Sequence, residues 1–439
     1  MATPSKIHLT LKDSGVVHSQ APTEESAAKT SQLLQENHAI HHIFFNDEGF
    51  HNHIVHHLLT LYSLGAPASV IEKHYRRNAA YQRPQFPVEE RTVTDMANQE
   101  HFAKYLGKET YYHDYVTFFQ REMEKKGWEN VLNEYLFSGT KQADDLLART
   151  FAGLLHPLIH LGFGIEFRQP AIIAEALAEA AVHDSRDSNY LLEVEKVATE
   201  PSSKMMLQIL NEIKEDKELM ASVHLKDAMD LGHLNRAPEL TIKHVKQWTV
   251  SPGELERKTA EMTSSALYYT VTAQHPPKQV RFDFYFMHAV NSSIFFTTFN
   301  AQPWLSEASK IRLLKFKGYM DLTIYASQGA PALLPDEITN YIPAKKDPSQ
   351  TSWESVFKRL FVHADDGHAV KFGRAIANAK NVLRPYEGES WAKIKGEQWE
   401  TVANMVVDSV EAPSPRSKWA RSVGFEEAWE QFEDRPVRL

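Results

Sequence analysis

From about residue 30 to residue 410 the apolar side chains recur every three or four positions, and strict alternation is scarce. A period of 3.6 lays one apolar stripe along a helix, whereas a half-buried strand needs a period of 2. The chain is therefore expected to be all-α and multi-helical. Candidate helices are 51–64, 68–80, 95–106, 112–125, 142–160, 170–182, 203–215, 253–272, 281–298, 305–326, 352–361, 366–381 and 391–410. No longer unit repeats, which argues against a solenoid. Stretches rich in Pro, Ser or charge read as connectors: HDSRDSNY from 183, GAPALLPDEITNYIPAKKDPSQTS from 329 and EAPSPRSK from 411. The expected organisation is an N-terminal arm over 1–28, on which Ile7, Leu9 and Leu11 alternate, then helical halves over 29–190 and 191–439 that act as one integrated domain. The 183–202 stretch is read either as the boundary or as a long surface loop.

With 439 residues and 42% hydrophobic composition, the chain can bury a large core. Its 48 Lys plus Arg stand against 57 Asp plus Glu, a net charge of −9, so phosphate backbones are not attracted and no nucleic-acid partner is expected. The N-terminal MATPSKIHLTLKDSG lacks a signal-type apolar core, and no apolar run reaches the length of a bilayer span. A cytoplasmic protein without a membrane partner is the expectation. Cysteine is absent, which removes disulfides, thiolate nucleophiles, iron–sulfur clusters and Cys-type zinc sites. Histidine, by contrast, occurs 22 times and becomes the obvious ligand for a transition metal.

The histidines cluster in four places. In FHNHIVHHLLTLYSLGA, 50–66, Ile54, Leu58, Leu61 and Tyr62 form a core stripe, and His53 and His57 lie one turn apart with His56 beside them. Such a pair grips a metal or simply fills a partly buried face. In FAGLLHPLIHLGFGIEF, 151–167, His156 and His160 flank Pro157, which cannot donate to the carbonyl of Gly153. A kink at His156 follows, in a helix that is either a ligand carrier or plain core. In RFDFYFMHAVNSSIFF, 281–296, Phe284, Tyr285, His288, Asn291, Ser292 and Phe295 share one stripe; flat aromatic surface beside a histidine suits a planar substrate, and equally suits a core. The fourth cluster holds His363, His368 and Lys371. GFGIEF at 162–167 follows a helix and lacks a third glycine, and there is no P-loop or GxSxG elbow. No tightly bound nicotinamide, flavin or nucleotide is indicated.

Four motifs in this order carry a resemblance: Asn52–His53 at a helix start, His156 followed by Leu158–Ile159, His288–Ala289–Val290, and Asp365–Asp366–Gly367–His368–Ala369–Val370–Lys371. Together they resemble the questin oxidase-like proteins, fungal enzymes of anthraquinone and related polyketide pathways, from about residue 40 to about 410. The resemblance implies non-haem Fe(II) held by His53, His156, His288, His368 and a carboxylated Lys371. It leaves His56, His57, His160 and His363 to substrate contact, ligand support or structure. Two helical halves would then pack around one central metal.

A lysine in that set has a chemical reason. Burial and a neighbouring dication both lower an ammonium pKa from about 10.4. The neutral amine adds carbon dioxide and becomes an anionic oxygen ligand, cancelling one unit of charge that four neutral imidazoles leave uncompensated. Five protein ligands in an octahedron leave one open position, so the aromatic substrate packs beside the metal rather than chelating it. The solvated-helix alternative for Lys371 pairs it with Asp365 or a nearby Glu.

The implied reaction uses molecular oxygen to cleave the central quinone ring of a hydroxylated anthraquinone-type polyketide, by C–C cleavage or Baeyer–Villiger-like insertion. Phe284, Phe295 and Asn291 are expected to contact substrate. His160 is the first candidate base, with Asp283 and Tyr285 behind it. Whether external NADPH is consumed, and how many chains assemble, stay open. The rival enzyme is an HD-type metal-dependent phosphohydrolase built on His113–Asp114 and His183–Asp184. The non-enzymatic rival is a helical interaction protein. Metal analysis separates the latter from an oxygenase, and anaerobic loss of turnover separates the former.

Overall fold

The computed structural model describes every residue except 199–200, 203, 415 and 436–439. The protein is all-α: its described residues form helices, and β-type pairing is confined to isolated bridges such as Phe44 with His51. Two compact units emerge. The first comprises Met1–Leu192, Thr298–Ser309 and Ala364–Lys371; the second comprises Glu193–Thr297, Lys310–His363 and Phe372–Leu439.

At the heart of the first unit the Pro170–Val182 helix packs against the Ala152–Glu166 and Tyr112–Lys126 helices. Its sequence, PAIIAEALAEAAV, explains this position. Pro170 starts it where a missing N–H costs nothing, and six alanines let neighbours approach closely. A Cβ added at Gly164 would stand 2.7 Å from Ile173, so glycine there is a condition of the contact. Only Glu175 and Glu179 interrupt the apolar surface; they are one turn apart, hence on one face, and both are buried.

The expected 142–160 helix is two helices, Lys141–Arg149 and Ala152–Glu166, bent by 96°. Gly153, Leu154 and Leu155 adopt left-handed conformations, with φ of 51°, 57° and 66°. Each non-glycine there costs about 1–2 kcal/mol. The break therefore lies before His156, and Pro157 falls in the first right-handed turn after it, a position that proline tolerates. The arm also differs from expectation. Ile7 and Leu9 are buried, but Leu11 is exposed, and a helix over Glu24–Ile40 begins inside the expected arm, with Thr23 and Ser26 forming a capping box. A helix over Arg186–Val197 likewise occupies the expected connector.

In the second unit the Leu255–Thr272 helix packs on the Phe284–Ser293 helix. Gly318 admits Trp248 against a helix backbone, where an added Cβ would lie 2.1 Å from the indole. No single described helix is long and apolar enough to cross a membrane; only the bent pair around residue 150 reaches that length when its two helices are taken together.

Candidate metal centre

Three of the expected ligands meet in the first unit. His53 immediately precedes the Ile54–Ser63 helix, where the Asn52 side-chain oxygen accepts from the Ile54 N–H at 3.0 Å. His156 follows the left-handed turn, and His368 opens the His368–Leu383 helix. One ring nitrogen from each lies within 4.8 Å of those of the others, and all three residues are buried.

At His156 and His368 the other ring nitrogen is held in place by oxygen. His156 Nδ1 donates to the Gly153 carbonyl at 2.5 Å; that carbonyl is the one Pro157, lacking an N–H, cannot satisfy. His368 Nδ1 donates to Asp366 Oδ1, and the second oxygen of Asp366 lies 3.1 Å from His53 Nδ1. With protons committed at Nδ1 of His156 and His368, their Nε2 atoms carry lone pairs, whereas His53 Nδ1 makes no hydrogen bond despite its closeness to Asp366. His53 Nε2 and His156 Nε2 are 2.8 Å apart. Two lone pairs at that distance would repel, unless one ring carries its proton there or a cation is shared between them. Burial holds the His53 imidazole down at about 4, so it is neutral near pH 7 and able to ligate. Desolvation pushes the Asp366 carboxyl up, but His368 and His53 pull it well below the usual range.

Lys371, one turn from His368 on the same helix, is close enough to His53 and His56 to act on them electrostatically. Its Nζ is buried and has no hydrogen-bond partner. Burial lowers its pKa to about 8, although Asp366 and Asp365 work in the opposite direction. Asp365 does not reach it as an ion pair: its oxygens accept from Gly367 and Ala369 N–H at 2.8 Å each. Gly367, at φ 97°, lies against the His57 ring, where a Cβ would stand 2.6 Å from Cγ. The role of His57 here is to pack, with its Nδ1 accepting from Asn78 Nδ2 at 2.9 Å. His56 is different: both its ring nitrogens are buried without partners, and burial holds its pKa well below the ordinary value.

His160, the first candidate base, is bound to Glu175: Nε2 lies 2.8 Å from Oε2. His38 Nδ1 lies 2.6 Å from the other oxygen of that carboxylate. Burial would raise the Glu175 carboxyl, but the bonds from His160 and His38 more than offset this and hold it at about 2. A depressed carboxyl stabilises the fold above its ordinary value of 4.5, and that stability is lost as pH falls through about 2. The stability difference between wild type and Glu175→Gln, read by urea unfolding, should shrink by roughly 3 kcal/mol between pH 5 and 2. A constant difference would show that the carboxylate carries no such linkage.

The remaining expected residues belong to the second unit. His288 is fully buried, with Nδ1 donating to the Phe284 carbonyl at 2.6 Å, so it too presents an Nε2 lone pair. The Phe284 ring meets His288 edge-on at 4.6 Å and carries the Arg421 guanidinium at 4.8 Å. Asn291 is buried with its Oδ1 unpartnered. A break at Ile294 ends the expected stripe, so Phe295 starts the next helix. Asp283 caps the Phe284–Ser293 helix, accepting from Tyr285 N at 2.7 Å and Phe286 N at 3.1 Å, while its second oxygen accepts from Val423 N at 3.2 Å. Burial raises its carboxyl to about 6 and also raises the Tyr285 phenol. Of the two rival His–Asp pairs, His113–Asp114 is used structurally: His113 Nδ1 lies 2.8 Å from the Phe86 carbonyl, and Asp114 accepts from Glu89 N at 2.7 Å.

Residues 50–376 match the sequence pattern described as questin oxidase-like. The chain is 36% identical over 440 residues to a Baeyer–Villiger monooxygenase of Cryptosporiopsis sp., covering 97% of this chain and 98% of the relative. It is 36% identical to an oxidoreductase of Aspergillus parasiticus, over 99% of this chain and 94% of that one. A questin oxidase of Aspergillus fumigatus is 33% identical, over 98% of this chain and 99% of its own length.

Proposed function

Because the chain belongs to the questin oxidase-like family, and is an oxygenase like its relatives, we propose that it cleaves the central quinone ring of an anthraquinone-type polyketide with the help of non-haem Fe(II). The observation that carries the metal reading is the cluster itself: the Nδ1 atoms of His156 and His368 are hydrogen-bonded to oxygen, Asp366 lies 3.1 Å behind His53 Nδ1, and one nitrogen of each ring lies within 4.8 Å of those of the others. Carboxylate or carbonyl support behind a ligating histidine is the usual arrangement of a metal site. The resemblance supplies His288 as the fourth imidazole and carboxylated Lys371 as the oxygen ligand. A buried lysine Nζ without a partner suits that modification. Nζ forms a bond to the carbon of carbon dioxide and releases one proton, leaving an anionic carbamate.

Iron supplies oxygen activation and electron transfer when bound. The protein's own side chains bind and orient the substrate. Phe284 and Phe295 flank the flat ring system, and the Asn291 carbonyl accepts from a substrate hydroxyl. His160 takes the phenolic proton, with Glu175 holding its imidazole in place. Asp283 is spent on capping its helix, and the raised Tyr285 phenol stays protonated near neutrality. If one oxygen atom enters the product, the other leaves as water, and an external reductant such as NADPH must supply two electrons. If both enter a hydroquinone substrate, none is needed. We place the enzyme in the cytoplasm, without nucleic-acid or membrane partners.

The test is elemental analysis of active protein, followed by oxygen uptake and isotope-labelled oxygen incorporation with a panel of hydroxyanthraquinones. Fully active protein without a transition metal would overturn the iron reading. Phe284→Ala and Phe295→Ala should raise KM about tenfold while metal content stays intact. Equal loss of metal and fold in both variants would mark these as plain core residues, whose truncation costs about 3–5 kcal/mol.

A further inference from the structure

Beside the three-histidine group lies a second set of side chains that the proposed reaction does not use. His51 Nε2 and His183 Nε2 are 2.7 Å apart. Glu179 Oε1 is 3.6 Å from the His51 nitrogen, and the three donor atoms lie within 4.8 Å of one another. Glu179 is fully buried, and neither of its oxygens has a hydrogen-bond partner. A carboxylate in that state either stays protonated or needs a cation, because removing an unpaired charge from water costs several kcal/mol. His160 Nδ1, at 3.5 Å from Oε2, lies beyond ordinary hydrogen-bonding distance.

A second observation concerns the space these atoms occupy. Gly153 is the first left-handed residue of the turn before His156, and a Cβ there would stand 2.4 Å from His183 Cε1, 2.7 Å from His183 Nε2 and 3.0 Å from His51 Cε1. The missing side chain is the cradle in which the two imidazoles meet. Two nitrogens bound to one tetrahedral ion at about 2.1 Å stand about 3.4 Å apart, so the pair needs to open by about 0.7 Å.

We infer that His51, His183 and Glu179 bind a second divalent first-row metal ion of the zinc class, separate from the iron group. Two imidazoles and one carboxylate leave a fourth position for water. The ion gives the buried Glu179 its missing counter-charge. It also fixes the His51 ring, which stacks on His156 at 3.8 Å and 3°. The second site is thus a positioning element: its ion holds the wall against which an iron ligand stands.

Metal-stripped full-length protein is reloaded with Zn2+, gel-filtered and assayed for equivalents bound. Wild type should retain two. Glu179→Gln and His183→Gln should each retain one, with Zn2+ affinity at the lost site weaker by at least 100-fold. His368→Ala should also keep one, and the double variant His368→Ala with Glu179→Gln should keep none. Glutamine preserves the volume of Glu179 and removes the buried charge, so stripped Glu179→Gln should melt no lower than stripped wild type; Zn2+ should raise the melting temperature of wild type by more than that of the variant. Loss of metal in His368→Ala alone would concern the iron reading and leave this one standing. Unchanged stoichiometry in both Glu179→Gln and His183→Gln would overturn the second site and reduce the 2.7 Å contact to an imidazole–imidazole hydrogen bond.

Discussion

Lys371→Arg should abolish turnover, lowering kcat at least about 100-fold, while the protein still folds and still contains its histidine ligands. Arginine keeps the positive charge and much of the length, so a lysine that merely paired with Asp366 would tolerate it. A guanidinium cannot add carbon dioxide, so a lysine that serves as a carbamate would not. The surroundings favour the second role: Nζ is buried, without a partner, and its pKa is lowered by burial to about 8. Lys371→Ala should be equally inactive, but it opens a space that acetate or propionate can enter, and partial rescue by such an acid would identify an anionic oxygen ligand. The pH dependence has a definite sign. Below about pH 6 protonation of the amine draws the carbamate back to carbon dioxide, so activity falls and returns slowly with bicarbonate at neutral pH. In protein free of carbon dioxide, the unfolded chain binds the extra proton between pH 8 and 10.5, so stability rises with pH across that window. Full activity and metal content in Lys371→Arg would reduce Lys371 to a helix lysine.

The pattern of apolar residues carried the all-α class and most helices, because burial on one face leaves a period that any reader can count. The ligand candidates were legible for a similar reason: histidine on an otherwise apolar turn is conspicuous at positions 53, 156, 288 and 368. What surrounds them was not. Asp366 looks like a second helix cap next to Asp365, and only the fold shows that Asp365 does the capping while Asp366 turns to His53 and His368. Glu175 and Glu179 did leave a signal, two carboxylates one turn apart in the alanine-rich 170–182 segment. Two glutamates in such a helix are buried and must find partners. The partners of Glu175, His38 and His160, and the imidazoles near Glu179, His51 and His183, are far away in sequence, so spacing could not supply them. The turn at Gly153–Leu155 was hidden for another reason: leucine is a good helix former, and its left-handed conformation here is imposed by packing against its own preference.

That turn decides between the two histidines that flank Pro157. His156→Ala should lose the iron and nearly all activity; His160→Ala should keep the iron and turn over slowly, by roughly 10–100-fold. One turn of helix separates them, so spacing alone cannot choose. Hydrogen bonding can. At His156 the proton sits on Nδ1, committed to the carbonyl that Pro157 leaves unpaired, and Nε2 faces His53 Nε2 at 2.8 Å. At His160 it is Nε2 that is engaged, 2.8 Å from a Glu175 carboxylate held at about 2 and therefore charged at any working pH. The nitrogen left for a metal there is Nδ1, which lies 3.5 Å from Glu179 Oε2 rather than beside His53 Nε2. The bond to Glu175 fixes the ring and leaves Nδ1 as the nitrogen that can take a proton. Metal content and turnover should therefore separate cleanly: the first variant loses both, the second only rate, and the lost rate should be partly restored at higher pH, where the substrate phenol ionises without help. Retention of iron in His156→Ala together with its loss in His160→Ala would reverse the assignment and, with it, the purpose of the left-handed turn.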